Sequence, residues 1–184
     1  MFTEKTKQMN IKGNNILLRA IEITDAELLK KIINDPDVEN YILGHSFPVS
    51  EHEQIDWIKS LKPQKDTLRV VIETTEKKKA IGLVVLSNID YKNATAGIHI
   101  KIDSDSGKGK GYGTEAINTM VNYAFDELRL HCIYANILSY NIASLNLFTK
   151  CDFQKEAILK KRIYKKGKFF DINVFSLFNE KYGK

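Results

Sequence analysis

The sequence predicts a mixed α+β fold, with a mostly antiparallel sheet of about seven strands flanked by about four helices. Three observations carry this. Leu68–Glu73, Ala80–Ile89 and Ala94–Ile102 are rich in β-branched residues at period two, and polar turns separate them. Helix-start patterns lie on both sides of that block. Between the two kinds of element sits Lys108-Gly109-Lys110-Gly111-Tyr112-Gly113-Thr114-Glu115-Ala116, a basic glycine-rich turn with an apolar strand before it and an amphipathic stretch after it.

In chain order, residues 1–10 are polar and read as loose, and Ile16–Arg19 reads as a first strand. Thr24-Asp25-Ala26-Glu27 has the capping-box pattern, so a helix should start at Asp25 and stop before Pro36, with a short turn after it. Ser50-Glu51-His52-Glu53 repeats the pattern, and Ile55, Trp57, Ile58 and Leu61 give a second helix its apolar stripe up to Pro63. The three period-two runs form an antiparallel meander. After the glycine turn a helix covers about Gly113–Leu128 and buries Ala116, Ile117, Met120, Val121, Ala124 and Phe125. His131–Leu138 is the next strand, Asn141 caps a helix to about Lys150, and Phe153–Arg162 with Phe169–Leu177 make a terminal hairpin around Lys166-Gly167.

With 184 residues, 43% hydrophobic and 28% charged, the chain suits one soluble domain, 1–184. The absence of a signal-peptide pattern or membrane-length apolar run, and two cysteines (Cys132, Cys151) in no disulfide or metal spacing, point to a reducing cytoplasm and no metal. A net charge of +5 favours anionic ligands but falls short of a nucleic-acid signature, and the basic run Lys160–Lys168 brackets a hairpin turn, where it is most simply solvated. No membrane partner is expected, and a homodimer is left open.

The glycine turn has the chemistry of an anion cradle. Unpaired N–H groups at a helix start meet a phosphate, the positive end of the helix dipole favours it, and Gly109, Gly111 and Gly113 allow close approach and positive φ. The spacing fits neither G-x-G-x-x-G nor G-x-x-x-x-G-K-[ST], since Tyr112 stands where the latter needs glycine.

Lys108–Gly113 resembles the pyrophosphate signature [Arg/Gln]-x-x-Gly-x-[Gly/Ala] of the GNAT N-acetyltransferases. Thr95-Ala96-Gly97-Ile98-His99-Ile100, Asn141-Ile142-Ala143-Ser144-Leu145 and Lys150-Cys151-Asp152-Phe153 resemble the A-E-[LI]-H-I, N-x-x-[AS] and K-L-G-F segments of the RimJ/RimL and polyamine-acetyltransferase branch. The resemblance implies a twisted sheet in which the strands Ala96–Ile102 and His131–Leu138 are parallel and splay apart. It also implies acetyl-CoA as cosubstrate and transfer to a primary amine, such as a protein N-terminus, a polyamine or another small amine, by direct attack in a ternary complex. The CoA site would comprise Ile100, Ile102, Lys108, Gly109, Lys110, Gly111, Tyr112, Gly113, Thr114, Asn141, Ser144 and Phe148, with the Ile100 N–H as oxyanion donor. Tyr41, His45, Phe47 and Tyr164 are candidates for the acceptor side.

Two positions depart from the family pattern. Gly97 replaces the Glu that often serves as base, and Phe148 replaces the Tyr that protonates the leaving thiolate. His99, on the same face as Gly97, is the candidate base, acting through a water in the space that Gly97 leaves; Glu156 and Asp171 are alternatives. The proton would then come from solvent, from another side chain such as Ser144 or Tyr134, or from no specific acid at all. A CoA-binding regulatory module without turnover is the competing reading.

Overall fold

A computed structural model describes residues 10–44, 47–107 and 109–182; His45 and Lys108 lie outside them. The strands among these residues are β1 Ile11–Lys12, β2 Ile16–Arg19, β3 Leu68–Thr74, β4 Ala80–Asp90, β5 Thr95–Ile102, β6 Cys132–Leu138, β7 Gln154–Lys165 and β8 Lys168–Phe178. The helices are α1 Ala26–Asn34, α2 Pro36–Tyr41, α3 Glu51–Ser60, α4 Ser104–Gly107, α5 Tyr112–Asp126 and α6 Ile142–Lys150. One sheet runs in the order β1-β2-β3-β4-β5-β6-β8-β7. Every neighbouring pair is antiparallel except β5 and β6. The expected mixed α+β architecture is present, with one strand and two short helices more than the sequence suggested.

The start of α1 differs from expectation. The reciprocal cap joins Glu22 to Asp25 through a 3-10 turn at Ile23–Asp25, and α1 begins at Ala26. Asp25 is buried because Arg19 holds it with two 2.8 Å hydrogen bonds, so its carboxylate anchors β2 as well as the turn. α1 stops before Pro36 as expected, but Pro36 then opens a second helix where a short turn was expected. Asp35 caps it, accepting from the N–H groups of Asp37 and Val38, and proline at a first helical position loses no hydrogen bond. The Ser50–Glu53 capping box forms as read, with bonds of 3.2 and 2.7 Å. Lys166 and Gly167 both take positive φ, as a two-residue hairpin turn requires.

The two faces of the sheet are unequal. α5 and α6 cover one face over a large core that includes Ile16, Leu18, Ile72, Leu86, Ile98, Ile117, Met120 and Ile133. On the other face the buried cluster under α1 and α3 is small, Ala26, Leu29 and Ile58 beside Ile21, Ile55 and Leu83. Among the described residues no helix is long and apolar enough to cross a membrane.

Candidate active site

The site begins where the sheet comes apart. The β5–β6 ladder pairs Thr95 with Cys132, Ala96 with Ile133 and Gly97 with Tyr134, then ends, although β5 runs on to Ile102 and β6 to Leu138. The Ala94 carbonyl accepts from the Cys132 N–H on the β6 side, whereas the Asp103 N–H donates to Ile81 of β4. Backbone groups alternate sides along a strand, so those of Ile98, Ile100 and Ile102 face the gap that β6 vacates. Side chains alternate too. Ile98 enters the α5 core, while Gly97, His99 and Lys101 face the side of α1 and α3.

A cavity of about 1070 Å³ fills this gap and reaches the glycine turn. β5 contributes Ile98–Ile102 to its wall, β6 Ala135–Ile137, the turn Gly109, Gly111, Gly113 and Thr114, and α6 Asn141, Ser144, Leu147 and Phe148. The segment of α2 and its sequel adds Asp35, Asp37, Val38 and Tyr41–Gly44. Gly109 and Gly111 have φ of 82° and 79°, and a Cβ on either would meet no atom within 4 Å, so the turn leaves its amides open. Gly113 lies inside α5 against Ile102 and Leu147, with no positive φ. The arrangement suits a diphosphate at the turn and an extended amide-bearing arm along the gap, as CoA carries.

Asn141 is the expected cap: its Oδ1 accepts from Ser144 N at 3.0 Å, and its Nδ2 also donates to the Tyr41 carbonyl at 3.3 Å. Phe148 is 3% exposed and stacks edge-on with Phe153, so it offers an apolar wall and no proton. Asp152 follows the end of α6 with φ of 63°, a left-handed position of the kind glycine most readily takes.

His99 Nε2 lies 2.8 Å from the Ser87 hydroxyl. Part of the ring is open to the cavity, yet the surrounding protein desolvates it and pushes its pKa below the ordinary 6.5; the Lys101 charge is the second cause. The space expected beside Gly97 is filled. A Cβ there would meet the Tyr134 ring and Ser87 Oγ at 3.3 Å, so any water serving His99 must stand on its cavity side. Tyr134 itself packs at Gly97 and does not line the cavity, unlike Ser144.

Several other expected residues are elsewhere. Phe47 and Tyr164 are 75% and 62% exposed and do not line the cavity; Tyr164 packs on Phe169 at the hairpin tip. Tyr41 does line it, Tyr112 packs on the core, and Lys110 is exposed at the turn without lining the cavity. Glu156 accepts from Ser176, and Asp171 holds Lys160 and the Lys161 N–H across an irregularity in the β7–β8 ladder, so both acids have structural partners outside the cavity. Burial raises the Cys132 thiol pKa and pushes that of Cys151 up to about 11, which disfavours either as a thiolate nucleophile. The acids of α2, with Lys101 and Asn136, join the site unforeseen. Pro36 concealed the helix that brings the acids, and Lys101 could have been found from its two-residue spacing to His99.

Residues 15–154 match the family model for the acetyltransferase (GNAT) domain. The chain belongs to the GNAT acetyltransferase family. It is similar to p20 of Bacillus licheniformis, described as an uncharacterised N-acetyltransferase, with 31% identity over 91% of this chain and 94% of that one. It is also similar to the spermidine N(1)-acetyltransferase of Vibrio cholerae, with 25% identity over 92% and 96% of the two chains. The crystal structure of spermidine N-acetyltransferase from Vibrio cholerae with CoA and spermine matches with a TM-score of 0.82 at 26% identity, over 92% of this chain and 99% of that one. This GNAT protein is therefore an acetyl-CoA-dependent N-acetyltransferase.

Proposed function

We propose that the protein transfers the acetyl group of acetyl-CoA to the neutral nitrogen of a primary amine by direct attack in a ternary complex. The observation that carries this is the β5–β6 split, which aims the Ile98, Ile100 and Ile102 backbone groups into a cavity that His99 also lines. The amides of Gly109, Gly111 and Gly113 and the start of α5 would hold the diphosphate of acetyl-CoA, and its thioester supplies the activated acyl group. The Ile100 N–H, preset toward the gap, would stabilise the charge that develops on the acyl oxygen.

The amine nitrogen bonds to the acyl carbon as the carbon–sulfur bond breaks. In the tautomer whose Nε2–H donates to the Ser87 hydroxyl, Nδ1 is the His99 nitrogen free to take the amine proton, directly or through a water. The lowered His99 pKa keeps the ring neutral and ready at neutral pH. No donor exists at Phe148, so the departing thiolate takes a proton from solvent, with the Ser144 hydroxyl on the cavity wall as relay. A protein N-terminus, a polyamine and another small amine all meet the chemical requirement.

A screen of amines with acetyl-CoA, read as free thiol, tests this. Amine-dependent thiol release is expected. Tight CoA binding without release from any amine would favour a regulatory module, the reading motivated by Gly97 and Phe148.

A further inference from the structure

The charges on the cavity wall are not equally available. Asp103 is bonded to Lys31 at 2.7 Å and also accepts from Ser106. Asp35 is used to cap α2. Asp37 is exposed at the rim, where water screens it. Lys150 is exposed at the end of α6.

Lys101 is different. It lines the cavity, is half-buried, and makes no hydrogen bond or ion pair among the described residues. It pairs across the ladder with Leu83, which packs beneath α1, so its stem has an apolar bed. Its pKa is lowered by burial alone, as expected when no carboxylate compensates. By contrast Lys31, Lys160 and Lys165 each hold a carboxylate. A half-buried cation without a partner is costly unless a ligand supplies the counter-charge. Lys101 lies two residues beyond His99 on the same face of β5, about 7 Å along the strand.

We propose that Lys101 selects the acceptor, and that the acceptor is a primary amine carrying an anionic group, a carboxylate or a phosphate, about 7 Å or less from its nitrogen. This rests on the acetyl-transfer reading and narrows it. The amine lies at His99, the anion at Lys101, and a polycation placed along the same face meets an unscreened positive charge. The acceptor class thereby differs from the spermine seen in the Vibrio cholerae complex.

The test compares kcat/KM for glycylglycine, glucosamine 6-phosphate, ethanolamine and spermidine, in the wild type, Lys101→Met and Lys101→Arg, with CoA binding measured calorimetrically alongside. A charge-assisted contact of this kind predicts that one of the two anionic amines exceeds spermidine by about 10-fold or more. Whichever leads identifies the anion as carboxylate or phosphate. Assayed well above the His99 acid limb, Lys101→Met should abolish that preference through KM and leave ethanolamine nearly unchanged, while Lys101→Arg should retain it. Preference of the wild type for spermidine overturns the proposal, as does an equal loss with all four amines in Lys101→Met. No thiol release from any amine by CoA-competent wild type removes the acetyl-transfer reading, and this proposal with it.

Discussion

The two faces of β5 divide the work of the molecule. Ala96 and Ile98 point into the α5 core and are at most 1% exposed, whereas Gly97, His99 and Lys101 point toward α1 and α3, where the buried apolar cluster is small. A strand can keep stability and chemistry on adjacent residues because its side chains alternate. The thin face is also the adaptable one, since few packed neighbours constrain what stands there.

The largest effect expected from breaking this contrast is on the packed face. Ile117→Ala, at a position with no exposure, should cost about 2–5 kcal/mol of stability. Ile58→Ala on the opposite face should cost less, because its cluster can close around the gap. Urea unfolding of the two variants checks this, and equal losses would erase the distinction between the faces.

On the chemical side, His99→Ala should lower kcat/KM by roughly 100-fold, about 2.7 kcal/mol, while CoA affinity holds. Because burial and Lys101 depress its pKa, the wild-type acid limb should fall below pH 6.5, with activity lost as pH drops through it. The limb should vanish in His99→Ala and move upward in Lys101→Met. A profile unchanged in His99→Ala would assign the deprotonation to the substrate's own equilibrium.

The glycine turn joins the two faces, and Gly111→Val should weaken CoA binding by about 10-fold, roughly 1.4 kcal/mol. The reason is conformational: at φ of 79° a β-branched residue is strained although nothing crowds its Cβ. Calorimetric titration of the folded variant decides it. The smallest change is a gain. Asp152→Gly should add about 1 kcal/mol by relieving the left-handed conformation that ends α6, seen as a higher melting temperature with unchanged kinetics.

Most of the architecture was legible because period-two runs and caps are local signals. The Ser50–Glu53 box, the Asn141 cap and the Lys166-Gly167 turn all form where the residues indicated. Pro36 misled because proline both ends one helix and suits the first position of the next. Thr24 was misread as a cap because Asp25 was already committed to Arg19, a contact that no local pattern reveals. The cavity's polar wall was half legible. The spacing of Gly97 and His99 placed them on one face, but that the Tyr134 ring fills the room beside Gly97 depends on the register between β5 and β6.

The end of α2 is held through its backbone. Lys165 Nζ donates to the Glu39 carbonyl, the Tyr140 hydroxyl to that of Asn40, and Asn141 Nδ2 to that of Tyr41. The Asn40 and Tyr41 carbonyls belong to the last turn, which a helix end leaves without intrahelical donors, while the Glu39 carbonyl also takes a long 3.4 Å bond from the Ile42 N–H; all three side-chain donors come from outside the helix. The seat of α2 is thus encoded in Tyr140, Asn141 and Lys165, with the Tyr41 ring packed on Tyr140, while Asp37 and Val38 can be rewritten with little effect on how it docks. Libraries that vary those two side chains and leave the three donors untouched should therefore explore new acceptors on a preserved scaffold.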